Sequence, residues 1–210
     1  MYALGAPFDD IAVDPGTNIL LTGPPLVGKR RLGLETLAAG TRDGEGTIVV
    51  STRDSATRVR AELGELVTDR VLSTVGVVDA VTEHIGQTTG DTMTKYTASP
   101  RDMSAIGIKF SEFIQSFYTD QQRERNRVYL DSLTTLLLYA NLQTVFRFLH
   151  VFTSRVEDVD GLGIYTIEST AHDAETMNTI EQLFDARIDI EESGAATLTL
   201  PDGESQTASL

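Results

Sequence analysis

The chain has 210 residues, 31 of them acidic against 17 basic, and no cysteine; this suits one substantial α/β core and excludes disulfides and thiolate metal sites. Its net charge of −14 opposes non-specific binding to nucleic acid, which depends on neutralising phosphates. No apolar run approaches the roughly 20 residues of a membrane span, and three scattered histidines, His84, His150 and His172, give no imidazole metal cluster. The opening MYALGAPFDD lacks a basic segment followed by an apolar one, so a soluble cytoplasmic protein is expected. Only Lys29, Lys95 and Lys109 are lysines. An acidic, lysine-poor surface stays hydrated where salt screens its self-repulsion, which favours a halophilic source. The alternative is an ordinary acidic protein with an accidental arginine skew.

In chain order, the apolar run from Asn18 to Thr22 predicts a first strand, which stops at Gly23, Pro24 and Pro25. Leu32, Leu34, Leu37 and Ala38 then recur at helical spacing and end at Gly40. A second β-rich run covers residues 46–51, and Asp54 or Ser55 can cap the following helix, which carries Val59 and Leu63. Residues 70–75 read as a third strand, and residues 78–100, rich in Thr, Gly and Asp, as a long irregular segment. Ile106, Phe110, Phe113, Ile114 and Phe117 share one helical face. Residues 126–131 form the fourth strand, residues 142–156 an amphipathic helix, and residues 161–167 the fifth strand. Asp173 can cap a helix running to Phe184, residues 187–190 and 195–200 form a terminal antiparallel pair, and the tail 203–210 is expected to be disordered. Alternating strands and helices predict a single α/β domain over residues 1–202, with a mostly parallel central sheet covered by helices on both faces.

Gly23, Pro24, Pro25, Leu26, Val27, Gly28 and Lys29 satisfy G-x-x-x-x-G-K between a strand and a helix, where a Walker A phosphate loop belongs. Such a loop turns backbone N–H groups toward phosphate oxygens beside the positive end of a helix, and Lys29 would reach the terminal phosphates. The alternative is a tight strand-to-helix turn with an incidental lysine. About a hundred residues on, the strand ending Val128, Tyr129, Leu130, Asp131 and then Ser132 has the Walker B form. Asp131 is the candidate to hold a magnesium-bound water, or else a turn or cap residue.

These two motifs, the Asp131-Ser132-Leu133-Thr134 string and the strand spacing resemble the KaiC-like and RadA-like ATPases of the RecA superfamily over about residues 15–192. The string LTTLLLYANLQTVFRFLH at residues 133–150 resembles a haloarchaeal branch of that superfamily. The resemblance implies a RecA-like P-loop fold that binds ATP or another nucleotide.

Two positions depart from the family pattern. The residue after the Walker A lysine is ordinarily Ser or Thr, whose hydroxyl ligates Mg²⁺, but here it is Arg30, which has five donors and no acceptor. Either Arg30 occupies the metal's place and neutralises phosphate itself, or it points outward while Asp131 and water hold a weakened magnesium site. At the end of the second strand the family's paired glutamates are matched by Arg53 and Asp54. Asp54 is the one candidate catalytic base left, with helix capping as its alternative. Both losses affect hydrolysis, so the expectation is a nucleotide-binding regulatory or signalling domain with weak or absent turnover and a protein partner or homo-oligomer. A working oligomeric ATPase is the alternative, and a recombination accessory protein ranks last because the 78–100 segment offers only Lys95 and Tyr96 to nucleic acid. Glu168 and Thr170 can face the ligand or simply form a turn. Arg123, Arg125 and Arg155 can act on a neighbour's phosphate or be solvated helix residues. Phe148, off the main helical stripe, is a candidate partner contact.

Overall fold

A strand buried on both faces reads as an unbroken apolar run, and such runs build the centre of the protein. The computed structural model describes residues 1–82 and 92–210. An antiparallel hairpin, β1 (Tyr2–Gly5) and β2 (Phe8–Val13), precedes the central strands β3 (Asn18–Gly23) and β4 (Gly46–Ser51). These are followed by β5 (Gly76–Asp79), β6 (Thr94–Tyr96), β7 (Asn126–Asp131) and β8 (Leu162–Glu168). The last three are β9 (Ala186–Ile190), β10 (Ala195–Thr199) and β11 (Ser205–Ser209). Among the described residues the large sheet runs β11-β10-β9-β3-β8-β7-β4-β5-β6, with β9 through β6 parallel and β10 and β11 antiparallel.

Successive side chains alternate between two cores. Ile19, Leu21, Val49, Tyr129 and Ile164 face α1 (Lys29–Arg42), α2 (Ala56–Gly64) and the hairpin. Leu20, Ile48, Val50, Val128, Leu130 and Tyr165 face the other side, covered by α4 (Met103–Thr119), α5 (Leu133–Tyr139), α6 (Leu142–Asp158) and α7 (Ala174–Glu181). A short α3 (Asp69–Leu72) lies between α2 and β5. The expected α/β architecture, with helices on both faces and a C-terminal antiparallel pair, is the one observed. The aromatic stripes of α4 and α6 meet at Phe110 and Phe152, whose stacked rings are 4.4 Å apart. Phe148 leans on Phe152 at 5.4 Å and is partly buried with this core.

Helix starts follow local chemistry. Ser55, Asp102, Ser132, Asn141 and Asp173 each accept a hydrogen bond from a backbone N–H three residues on, so Ser55 and not Asp54 caps α2, and the Asp173 cap is as expected.

Several expectations need correction. Residues 69–72 are helical and the strand lies at Gly76–Asp79, where four consecutive residues are buried; a glycine and an aspartate in this run disguised it. The stretch read as irregular, 78–100, holds the end of β5 and all of β6, the latter hidden because it is a three-residue strand with a lysine and no apolar alternation. Within that stretch, residues 83–91 lie outside the described residues. The tail expected to be disordered instead contains β11, in register with β10 from Thr199↔Ser205 to Ala195↔Ser209. Its residues, SQTAS, are polar because one face and the edge meet solvent, so ladder hydrogen bonds rather than burial hold it.

The N-terminal hairpin, for which no strand was expected, is fixed by a buried ion pair. Arg127 at the start of β7 meets Glu45 at 2.5 Å, and its Nη1 donates to the carbonyls of Ala3 and Thr36 at 2.8 Å each. Tyr2 lies under Arg125 and Arg127, donates to the Asp160 carbonyl at 2.8 Å and accepts from Asn126 N–H at 3.1 Å. Gly40 in α1 leaves room for this pair, since a Cβ there would overlap both Arg127 Nε and Glu45 Oε2. Gly40→Ala should therefore destabilise the fold by about 3 kcal/mol, outweighing the gain in helix propensity. Urea midpoints of the two proteins check this, and an unchanged or raised midpoint would mean the pair is not held rigidly.

Candidate functional site

In an open α/β sheet, groups at the carboxyl ends of the strands gather on one edge, beside the place where strand order reverses. Here the chain passes from β3 to β4 across β8 and β7. The ends of β3, β4, β7 and β8 thus bring together Gly23, Ser51, Asp131 and Glu168, residues far apart in sequence. The loop after β3 turns tightly: Gly23 has φ 151°, and a Cβ on it would run into the Ile190 carbonyl at the end of β9. Pro24 and Pro25 follow, Leu26 is fully exposed with φ 65°, and Val27 packs beneath it against the core. Gly28, with φ 94°, caps α1 without any side-chain hydrogen bond. The first-turn N–H groups of α1 therefore open onto the loop with no capping side chain, an arrangement suited to an anion.

Lys29 is almost wholly buried. Its ammonium donates to the Gly23 carbonyl at 2.8 Å, to the Pro24 carbonyl, and to Glu168 Oε2 at 2.7 Å. The lysine is thus held back onto its own loop by a carboxylate from β8. Glu168 is fixed in turn, since its N–H donates to Thr134 Oγ1 at 2.9 Å, and His172 Nε2 lies 3.0 Å from the same hydroxyl. Burial lowers the His172 pKa, with Asp173 and Glu168 partly opposing the shift. Thr170 sits exposed in the 3₁₀ turn Ser169–Ala171, away from these contacts.

Arg30 points inward. Its Nη1 is paired with Asp131 Oδ2 and lies 3.4 Å from Asp54 Oδ2, while its Nε contacts Glu62 Oε2 on α2 at 2.6 Å. Asp131 is 0% exposed. Its Oδ1 and the Nη2 of Arg30 are buried without a hydrogen-bond partner among the described residues. Arg53 adds a second cation, 3.1 Å from Asp54 and 3.9 Å from Asp131, and Arg58 reaches Asp54 Oδ1 at 3.3 Å. Asp54, the candidate base, is therefore surrounded by three guanidinium groups.

The Walker-B-like strand end is braced from β4. Thr52 N–H donates to the Asp131 carbonyl at 2.7 Å, and Thr52 Oγ1 both accepts from Ser132 N–H at 2.7 Å and donates to the Ser132 carbonyl at 3.0 Å. The Asp131–Ser132 peptide bond is cis. Beneath it, burial pushes the Tyr129 phenol up to about 12, so it stays neutral and accepts from Thr166 at 2.8 Å. On the far side of β4, Asp79 of β5 is buried and accepts from the N–H groups of Ala56, Val81 and Thr82 at 2.6–2.8 Å, tying α2 to the sheet.

A cleft of about 360 Å³ opens over these groups, lined by Leu26, Gly28, Leu34, Leu66 and Thr166 together with four cations, Lys29, Arg30, Arg31 and Arg53, and three carboxylates, Glu62, Glu65 and Glu168. These charges are largely paired with one another, so the feature of the cleft that favours an anionic ligand is the uncapped N-terminus of α1 beside Lys29.

A family of unknown function, DUF7504, matches over residues 16–190. The chain belongs to that family. No curated protein matches it. Among solved structures, a KaiC-like protein, PH0186 from Pyrococcus horikoshii OT3, aligns with this DUF7504 member over 100% of this chain and 91% of its own. The TM-score is 0.70 at 14% sequence identity. The fold is thus that of a KaiC-like RecA-type domain, as the motifs and strand spacing implied.

The structure brings the loop residues 23–30, Asp54, Asp131 and Glu168 to one edge. Arg123, Arg125 and Arg155, the candidates for acting on a neighbour's phosphate, lie elsewhere and are engaged within the chain. Arg155 donates to the Gly107 carbonyl and Ser111 Oγ at 2.9 Å, Arg123 lies over Phe117, and Arg125 pairs with Glu45 at 2.7 Å; none is a solvated helix residue. Thr52, Glu62 and Asp79 were missed. A threonine next to the recognised Arg53 and Asp54 was the only signal for Thr52, and nothing local distinguished Glu62 from other helix-surface glutamates. Among the described residues no group of three or more His, Asp or Glu side chains is arranged to hold a metal ion, and no helix is long and apolar enough to cross a membrane.

Replacing Thr52 by valine keeps its shape but strips Ser132 N–H of its acceptor in a dry site. Thr52→Val should cost about 1–3 kcal/mol, measured as a lowered urea midpoint with unchanged m-value.

Proposed function

We propose that this protein is a nucleotide-binding regulatory domain, binding ATP or a related nucleotide through residues 23–30 with weak or absent hydrolysis. The observation that carries this reading is the uncapped N-terminus of α1 opening, with Lys29 beside it, onto a cleft of about 360 Å³. That volume lies within the range of small-ligand pockets. Phosphate oxygens would accept from the loop N–H groups and displace Glu168 as the partner of Lys29. Leu26, Leu34 and Leu66 supply apolar surface for the rest of the ligand.

The same residues fit a nucleotide but not its magnesium. A Walker A hydroxyl is replaced by a guanidinium with no lone pair, and Asp131 Oδ2 is already paired with that guanidinium. No catalytic step is therefore routed through a metal. Asp54, the remaining candidate for activating water, is tied by Arg30, Arg53 and Arg58, which hold it away from the role of a base. Binding without efficient turnover makes the domain a switch whose readout is a protein partner or another copy of itself. The acidic, arginine-biased composition supports a halophilic setting for that switch, and the resemblance of residues 133–150 to a haloarchaeal branch supports an archaeal one.

With purified protein, ATP should bind, as followed by calorimetry, while phosphate release stays at the level of a Lys29→Ala control. Sustained turnover well above that control would instead favour the reading as a working ATPase. In a second experiment, Arg30→Thr combined with Arg53→Glu returns a hydroxyl ligand and a carboxylate to the two divergent positions. Phosphate release in Mg²⁺ should then rise by about a hundredfold, and no rise would mean that the block to hydrolysis lies elsewhere.

A further inference from the structure

The contacts of Arg30 carry an inference about which form of the nucleotide this site accepts, and it rests on the nucleotide-binding reading above. The guanidinium is held on two sides, at Nη1 by Asp131 and Asp54 and at Nε by Glu62. The carboxylates are thus distributed around a planar cation rather than converging on a point, in keeping with the lack of a three-carboxylate or histidine metal cluster among the described residues. Arg30 Nη2 is buried and without a hydrogen-bond partner among the described residues. It is an unused donor, among the described residues, on a side chain that lines the cleft with Gly28 and Lys29. Asp131 Oδ1 is likewise buried and without a hydrogen-bond partner among the described residues, and the charge of the carboxylate is met by Arg30.

We propose that Arg30 is a covalently attached counter-cation, and that the site takes the metal-free polyphosphate in preference to its magnesium complex. In a metal-dependent site the divalent ion bridges phosphate oxygens and the acidic strand end. Here the bridge would be Arg30, which lines the cleft, with Asp131, Asp54 and Glu62 orienting it and Nη2 the one guanidinium nitrogen not already used among the described residues. Mg²⁺ on the nucleotide works against this arrangement twice. It removes negative charge that Lys29 and Arg30 would otherwise meet, and it brings a second cation to the position Arg30 already fills. The ligand class is therefore a free nucleoside triphosphate or diphosphate, and the site responds to the fraction of nucleotide not complexed by magnesium.

The test is ATP binding to the intact chain by calorimetry, in EDTA and in excess MgCl₂, with inorganic tripolyphosphate as a second probe. The wild type should bind ATP about tenfold more tightly in EDTA, with tripolyphosphate showing the same order. Arg30→Thr should reverse the order, and Arg30→Lys, which keeps the charge, should retain the wild-type order. Tighter wild-type binding in MgCl₂ would overturn the counter-cation assignment while leaving nucleotide binding intact. Failure of ATP to bind in either buffer would overturn the nucleotide reading itself. Because the first comparison uses only the wild type, it stands even if a substitution next to Asp131 impairs folding.

Discussion

A carboxylate buried at the end of a central strand cannot remain charged without a cation beside it. Asp131 is such a group, and the cation is Arg30 from the first turn of α1. The pairing joins β7 to α1, and Glu62 and Asp54 extend it to α2 and the end of β4. The site edge is therefore held by an alternating chain of charges that begins in the sheet and ends on the surface of α2. A metal-centred site would need an ion to complete it, whereas this one is neutralised by its own side chains.

Lys29 shows the same internal neutralisation from the other side. Three acceptors hold its ammonium, one of them Glu168 from β8. A phosphate-bearing ligand would have to exchange with that carboxylate, which couples the loop after β3 to the turn after β8. That turn carries Glu168 and His172, both anchored on Thr134 of α5.

Opposite this edge the sheet is closed by a different buried pair. Arg127 and Glu45 fasten the N-terminal hairpin to α1 and β7, with Tyr2 stacked under two arginines. The hairpin covers apolar surface of α1 and the sheet that would otherwise meet solvent. Arginines that in the bare sequence resembled trans-acting groups are used here, and at Arg155, as internal fasteners. An acidic chain with few lysines thus spends several arginines on its own architecture.

The sequence by itself determined the alternation of strand and helix, the two apolar faces of the sheet, and the loop of Gly23, Gly28 and Lys29. Each is written in local spacing, whether period two, period 3.6 or a fixed motif. It also exposed Arg30 and Arg53 as departures, because a guanidinium's lack of acceptors is a property of the residue and not of its surroundings. Elements held mainly by ladder hydrogen bonds, β6 and β11, were not legible, since polar three- and five-residue strands have no apolar signature. β5 was misplaced because Gly76 and Asp79 interrupt its pattern, although Gly76 makes room for Phe113 and Asp79 binds α2 to the sheet. Of the two orientations left open for Arg30, only the tertiary structure decided for the inward one. The carboxylates that draw it in are distant along the chain: Asp131, 101 residues away, and Asp54 arrive because parallel strands deliver their ends to one edge, and Glu62 arrives on α2.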